Sequence, residues 1–422
     1  MKLKLALSLA LASLWHRKGV LALVTLTLTL SVSLLLGVQY LRQEVRQSFT
    51  STISGTDLIV GARSGPLNLL LYTVFHIGDA TNNIRWSTYQ ALKEDARIDW
   101  LVPISLGDNY RGHRVVGTDA GFYQHFRYGN DRPLQMQQGQ WFDGVFEVVM
   151  GAEVARRMQH QVGDKITLSH GTGRISFLDH GDHPFTVSGI LAPTGTPVDR
   201  AVYISLEGME AIHIGWETGA PMPGRTVSPD QALQRDLTPR SITAALVGIE
   251  RRVLTFQVQR AINTSSQEPL SAILPGVALS ELWRLLGQFE RALLAITVFV
   301  VITSLVGLVA VLLTLQAQRR REIAVLRATG ASPGLIAGLY ALECTLLAVT
   351  ACGLALLLGA TGIALSSAWL LDTWGLHVSL RPLTADEWKI LAGVPTAALA
   401  VSLLPAWRAY RGSLQQGLTP PS

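Results

Sequence analysis

Apolar residues in this chain gather into four long runs, separated by one extended segment in which apolar stretches are short. Gly19 to Leu41, Ala292 to Leu315 and Ile390 to Trp407 carry no charge, and Ala328 to Leu371 carries one ionised residue, Glu343. A helix rising about 1.5 Å per residue needs roughly 20 apolar residues to cross a hydrocarbon core. Each run therefore predicts a transmembrane helix. Arg42 to Glu290 is punctuated by Gly, Pro, Asp and Arg and is long enough for two ordinary soluble lobes. The expected fold class is membrane α-helical, four transmembrane helices with a large α+β extracytoplasmic domain between the first and second spans.

Within that domain the pattern predicts short strands at Asp57–Gly61, Glu147–Gly151, Val162–Leu168, Phe185–Leu191 and Ala244–Ile249. Helices are expected at Ser87–Ala96, with Trp86 and Leu92 facing inward, and at Ala152–Met158 and Thr255–Asn263. Gly215–Pro239, rich in Pro and Gly, reads as an irregular excursion. Lys2 to Trp15 has apolar residues at helical spacing and predicts an amphipathic elbow along the inner interface. The boundaries fall as elbow 1–18, spans 19–41, 291–316, 334–371 and 388–408, outer domain 42–290, cytoplasmic connector 317–333, outer loop 372–387 and tail 409–422.

Composition sharpens this picture. Charged residues make up 15% of the chain, where soluble domains carry about a quarter. The two ends and the loop after the second run hold Lys2, Lys4, Arg17, Lys18, Arg319, Arg320, Arg321, Arg327, Arg408 and Arg411 against a single acid, Glu322. Lys and Arg concentrate in short cytoplasmic loops, so both termini and the 317–333 connector are expected inside and the 42–290 domain outside. The net charge of +5 is a topology signal and implies no nucleic-acid partner. Trp15, Trp407 and Tyr410 on the inner side, and Tyr40, Trp369, Trp374 and Trp388 on the outer, agree with that orientation. The first run is too long for a signal-peptide core and reads as a retained anchor. Cys344 and Cys352 are eight helical residues apart, about 12 Å, too far for a disulfide.

The connector Arg319-Arg-Arg-Glu-Ile-Ala-Val-Leu-Arg-Ala-Thr-Gly-Ala-Ser-Pro-Gly334 is the most informative stretch. Glu322 to Thr329 predicts a short helix with Ile323, Leu326 and Arg327 on one stripe. Gly330 suits the residue ending it, and Ser332 with Pro333 suits the cap and first position of the next helix. A short helix tied to spans at both ends can act as a lever for a soluble motor. Arg320 to Ser332, followed by Glu343, resembles the signature of MacB/FtsX-type ABC permeases. Leu404-Pro-Ala-Trp-Arg-Ala-Tyr-Arg411 resembles the family's closing segment. Gly139-Gln-Trp-Phe142, Glu147–Ala152, Val162-Gly-Asp164 and Phe185–Gly189 are similar to its extracytoplasmic core domain.

The resemblance implies a bacterial inner-membrane permease that dimerises, most simply as a homodimer, and is driven by a cytoplasmic ABC ATPase through mechanotransmission. ATP and Mg²⁺ would belong to that partner, and no cofactor to this chain. Arg321, Glu322, Ile323, Leu326, Arg327 and Gly330 would then form the ATPase-coupling helix. The substrate class would be a lipoprotein, peptide or hydrophobic small molecule, passed to or from a periplasmic adaptor or binding protein. The alternatives are an FtsX-like transducer that regulates an envelope enzyme without transport, and a module of a zinc-linked system. No stretch fits G-x-x-x-x-G-K-[ST], so the chain lacks the loop that grips nucleotide, and no enzymatic activity of its own is expected.

Glu343 is the one acid placed near a bilayer midplane, where ionised residues face the bundle interior with a partner; Thr345 is a local candidate for that partner. Eight of the ten histidines fall in the outer domain. His170, Asp179, His180, Asp182 and His183 crowd around one predicted strand. His180 and His183, at i, i+3, are the candidate metal ligands, with zinc as the metal. A solvated His- and Asp-rich turn is the competing reading.

Overall fold

The computed structural model describes residues 18–50, 52–129, 131–170, 183–214, 227–318, 328, 330–374 and 380–415. Its chain divides into a unit of residues 45–286 and a unit of residues 1–44 with 287–422.

The 45–286 unit is built on one mixed sheet. Its strands run in the order Leu270–Ile273, Leu58–Ala62, Ala244–Ile249, Ile98–Tyr110, His113–Thr118, Val202–Ser205, Glu147–Met150, Phe185–Leu191 and Met136–Gly139. His113–Thr118 pairs in parallel with Val202–Ser205, and Glu147–Met150 with Phe185–Leu191; the other neighbours on this path are antiparallel. Side chains alternate between faces along a strand, and both faces are covered here. Ile59, Val102, Ile104, Leu246, Val149 and Tyr203 pack on one side. Leu58, Val60, Leu101, Ala245 and Val247 pack on the other, in a cluster that includes Tyr89, Val258 and Ile262. Burial on both faces explains the unbroken apolar runs of Leu58–Ala62 and Ala244–Ile249, every residue of which is buried.

The helices Ala152–Met158 and Thr255–Asn263 and the strands Phe185–Leu191 and Ala244–Ile249 lie where the pattern predicts them. Trp86 and Leu92 pack inward from the helix Trp86–Lys93. Predicted strand Val162–Leu168 shrinks to Lys165–Ile166. Gly163 takes a φ of 97°, and the Asp164 amide donates to the Gln161 carbonyl at 3.2 Å, so the first half is a turn. The C-terminal part of the Gly215–Pro239 excursion is structured. Ser228 and Gln231 form a reciprocal capping box on the helical turn Pro229–Ala232, and Ala232 is fully buried. The longest strand, the 13-residue Ile98–Tyr110, has no counterpart in the sequence reading. Asp99, Pro103, Gly107, Asp108 and Asn109 break its apolar pattern.

The second unit consists of long helices: α1 (Lys18–Thr50), α2 (Pro275–Gln318), α3 (Pro333–Trp374) and α4 (Ala385–Gln415). α2 begins in the 45–286 segment of the chain. Leu28 and Val32 of α1, Leu308 and Leu312 of α2, Ala348 and Ala351 of α3, and Val394 and Ala398 of α4 share one core. The Ser31 and Ser304 hydroxyls meet at 2.6 Å across α1 and α2. Among the described residues, three stretches are long and apolar enough to cross a membrane: Gly19–Glu44, Pro275–Thr314 and Gly334–Ser367. The predicted fourth span is helical, and α4 begins with Asp386, Glu387 and Lys389 in its first turns.

Candidate functional site

Three groups of residues carry chemistry beyond packing. The first is the entry to α3. Gly330 has a φ of 96°, a left-handed conformation that glycine adopts without a Cβ penalty. Ser332 caps α3, its hydroxyl oxygen accepting from the Leu335 amide at 3.3 Å, and Pro333 is the helix's first residue. The sequence reading expected both features. Arg321, Glu322, Ile323, Leu326 and Arg327 lie outside the described residues. About three turns beyond the cap, Glu343 is 4% exposed. It lies on the stripe Ile336, Tyr340, Cys344, Leu347, Ala348, Ala351, all buried, at the i, i+3 and i+4 spacing of one helix face. The Thr345 hydroxyl donates to the Ala341 carbonyl at 2.8 Å, so its proton is used within its own helix.

The second group joins α1, α4 and the segment before α4. Arg381 grips Glu387 with both guanidinium arms, Nη2 to Oε1 at 2.9 Å and Nη1 to Oε2 at 3.1 Å. The Tyr40 ring lies under the guanidinium at 4.6 Å, with Glu44 at 3.8 Å. The Thr384 amide donates to Glu387 Oε2 at 2.7 Å, which is one half of a capping box. Glu387 is 2% exposed. Burial pushes its carboxyl up, but the Arg381 and Thr384 bonds outweigh burial and hold it below the usual carboxylate value. Nearby, Arg42 Nε bonds Glu290 Oε2 at 2.8 Å. The sequence reading missed this group, although Thr384-Ala-Asp-Glu387 has the T-x-x-E spacing of a capping box.

The third group lies inside the 45–286 unit. The strand Ser169–His170 pairs antiparallel with Ile98–Tyr110, so that His170 stands opposite Asp108. His213 follows directly on the helix Leu206–Ile212 as its C-cap. Asp108 is fully buried. Its Oδ1 lies 3.1 Å from His170 Nδ1 and its Oδ2 lies 3.5 Å from His213 Nε2. The two ring nitrogens are 3.3 Å apart. Burial alone would lower the basicity of His213; the bond and charge of Asp108 reverse this and raise it above the ordinary value. Of the two histidines expected to hold metal, His180 lies outside the described residues. His183 is buried with its ring stacked on Phe146, and the group with Asp108 does not include it. Neither Asp108 nor His213 carried a local signal, because strand register and a helix end bring them to His170.

Residues 21–262 match the family described as the MacB-like periplasmic core domain, and residues 294–414 match that described as the FtsX-like permease C-terminal. Two solved structures are similar to parts of this chain. The periplasmic region of MacB from Actinobacillus actinomycetemcomitans is 13% identical with a TM-score of 0.34, over 55% of this chain and 94% of that one. The extracellular domain of the noncanonic ABC-type transporter YknZ from Gram-positive bacteria is 12% identical with a TM-score of 0.30, over 52% of this chain and 99% of that one. No curated protein matches the sequence.

Proposed function

This chain belongs to the MacB/FtsX-type family of ABC transporter permeases, and from that membership we propose that it is a permease subunit worked by a separate cytoplasmic ATPase. In this reading α1 to α4 are four spans of a bacterial inner-membrane protein, both termini are cytoplasmic, and the 45–286 unit is extracytoplasmic. A second copy completes a homodimer. The ATPase partner holds ATP and Mg²⁺. The cargo class is a lipoprotein, peptide or hydrophobic small molecule.

The observation that carries the proposal is the order of parts along one chain. A core domain of one family description is followed by a permease segment of the other, and no nucleotide-gripping loop occurs anywhere in the sequence. The helices support a mechanical rather than a channel mechanism. The 44 residues of α2 are unbroken and span about 66 Å, roughly twice a hydrocarbon core. Such an element carries force beyond the bilayer. The segment 317–333 joins α2 to α3, and in this reading it is the coupling helix that receives the ATPase's stroke. Its neighbour α3 begins at the cap Gly330–Ser332 and reaches Glu343 about three turns on.

Co-purification of the full-length permease with the ATPase encoded beside it tests the reading. Wild type is expected to retain the ATPase and stimulate its turnover. Leu326→Glu puts a charge on the docking stripe and is expected to weaken the complex about tenfold or more, with membrane insertion intact. A Leu326→Glu protein that binds and stimulates the ATPase like wild type removes the coupling assignment. Retention of a cell-wall hydrolase with no transported cargo would favour a regulatory transducer.

A further inference from the structure

We propose that Asp108, His170 and His213 form a binding site for a zinc-class divalent cation in the 45–286 unit. The inference is independent of the transport reading and rests on three observations.

The first is distance. His170 Nδ1 lies 3.1 Å from Asp108 Oδ1 and 3.3 Å from His213 Nε2, and His213 Nε2 lies 3.5 Å from the second carboxylate oxygen, Oδ2; one ligand atom from each side chain falls within 4.8 Å of the others. Zinc bound at about 2.0 Å to tetrahedral nitrogen and oxygen ligands sets its donors about 3.3 Å apart. The second is the tautomer of His213. Its Nδ1 lies 2.7 Å from the Met209 carbonyl oxygen, which can only accept, so Nδ1 donates. In the neutral ring Nε2 then carries a lone pair, and that lone pair faces the Asp108 carboxylate and His170 Nδ1. A divalent cation can take the place of the protons that otherwise bridge these atoms. An imidazole whose far N–H is anchored on a backbone carbonyl is also the arrangement that orients metal-ligating histidines.

The third observation is how firmly the ligands are held. Asp108 is fully buried in a strand paired on both edges. Asn109 next to it holds the hairpin, accepting from the Gly112 amide at 3.2 Å and donating to the Ser169 carbonyl at 3.4 Å. The strand, its short partner and a helix end thus meet at one point and supply, among the described residues, three ligands for a four-coordinate ion. Two imidazoles and one carboxylate suit zinc better than the oxygen-seeking calcium or magnesium. Occupancy clamps the strand Ser169–His170 to the helix Leu206–Ile212.

The test uses the full-length chain in detergent, stripped with a chelator and titrated with Zn²⁺ alone by calorimetry. One zinc per chain is expected. His170→Ala, His213→Ala and the near-isosteric Asp108→Asn should each weaken binding at least about 100-fold. His125→Ala, elsewhere in the unit, should leave affinity within about twofold. Melting of each stripped variant checks that it is folded, and the zinc-induced rise in melting temperature should vanish in the three ligand variants. Co²⁺ in place of zinc should show the intense visible bands of a tetrahedral ion. Absence of zinc binding in wild type would reduce the group to an imidazolium–carboxylate pair and overturn the proposal. Unchanged affinity in a folded ligand variant, or the pale spectrum of six-coordinate cobalt, would overturn it as well.

Discussion

At the scale of single residues, the sharpest energetic statement concerns Arg381 and Glu387. A buried carboxylate left without its partner costs several kcal/mol, and a lysine cannot reproduce the two-armed contact. Arg381→Ala is expected to lower the stability of the detergent-solubilised protein by about 3 kcal/mol, and Arg381→Lys by less; thermal unfolding measures both. The pH dependence has a definite sign. Glu387 is held below its ordinary value of 4.5, so its contribution is present above that pH and is lost as pH falls through the lower folded value. Wild type should therefore lose stability on acidification below about pH 4.5 more steeply than Arg381→Ala does. Gly139 makes a second case. Its φ is 69°, and a Cβ there would overlap the Ser188 carbonyl oxygen where the strands Met136–Gly139 and Phe185–Leu191 cross closely. Gly139→Ala should cost about 2 kcal/mol or more and lower the melting temperature by about 5 °C. This close approach is a physical reason for the Gly at the start of Gly139-Gln-Trp-Phe142.

At the scale of elements, α3 is where pattern and structure agree most closely. Its cap, its first proline and the glycine before it were all legible, because capping depends on residues three or four apart. The side that α3 buries was not legible, since its sequence is apolar all round and shows no amphipathic stripe. The structure selects the stripe that includes Glu343. Glu343→Gln is expected to change ATPase-coupled turnover about threefold or more, within the 0.5–2 kcal/mol by which such positions bias a two-state element, while expression stays near wild type. Unaltered turnover would leave Glu343 a packing residue. In the outer domain the same logic separates hits from misses. Ala244–Ile249 is an uninterrupted apolar run and was read correctly. Ile98–Tyr110 was overlooked, because its Pro103 and Gly107–Asn109 look like turn residues until partners on both edges are in place.

At the scale of the whole molecule, the 45–286 unit contains its own sheet and three apolar clusters on its two faces. Expressed alone as residues 45–286, it should be soluble and unfold cooperatively. One cluster takes Ala278 and Leu279, with Leu282 and Trp283 packed against it, from the first turns of α2. A fragment ending at residue 274 loses these side chains and should be less stable by about 3 kcal/mol or more, read as a lower denaturation midpoint. Equal stability of the two fragments would mean that the start of α2 contributes nothing to the domain.

Long apolar runs, the basic residues beside them, the caps of α3 and the strands buried on both faces were determined by the sequence alone. Each depends on residues adjacent along the chain or one helical turn apart. Strand order, the face that each long helix buries, the Arg381–Glu387 grip and the meeting of Asp108 with His170 and His213 were decided only by the tertiary structure. In those cases the interacting groups lie far apart along the chain, and no local periodicity reports the register or helix end that brings them within bonding distance.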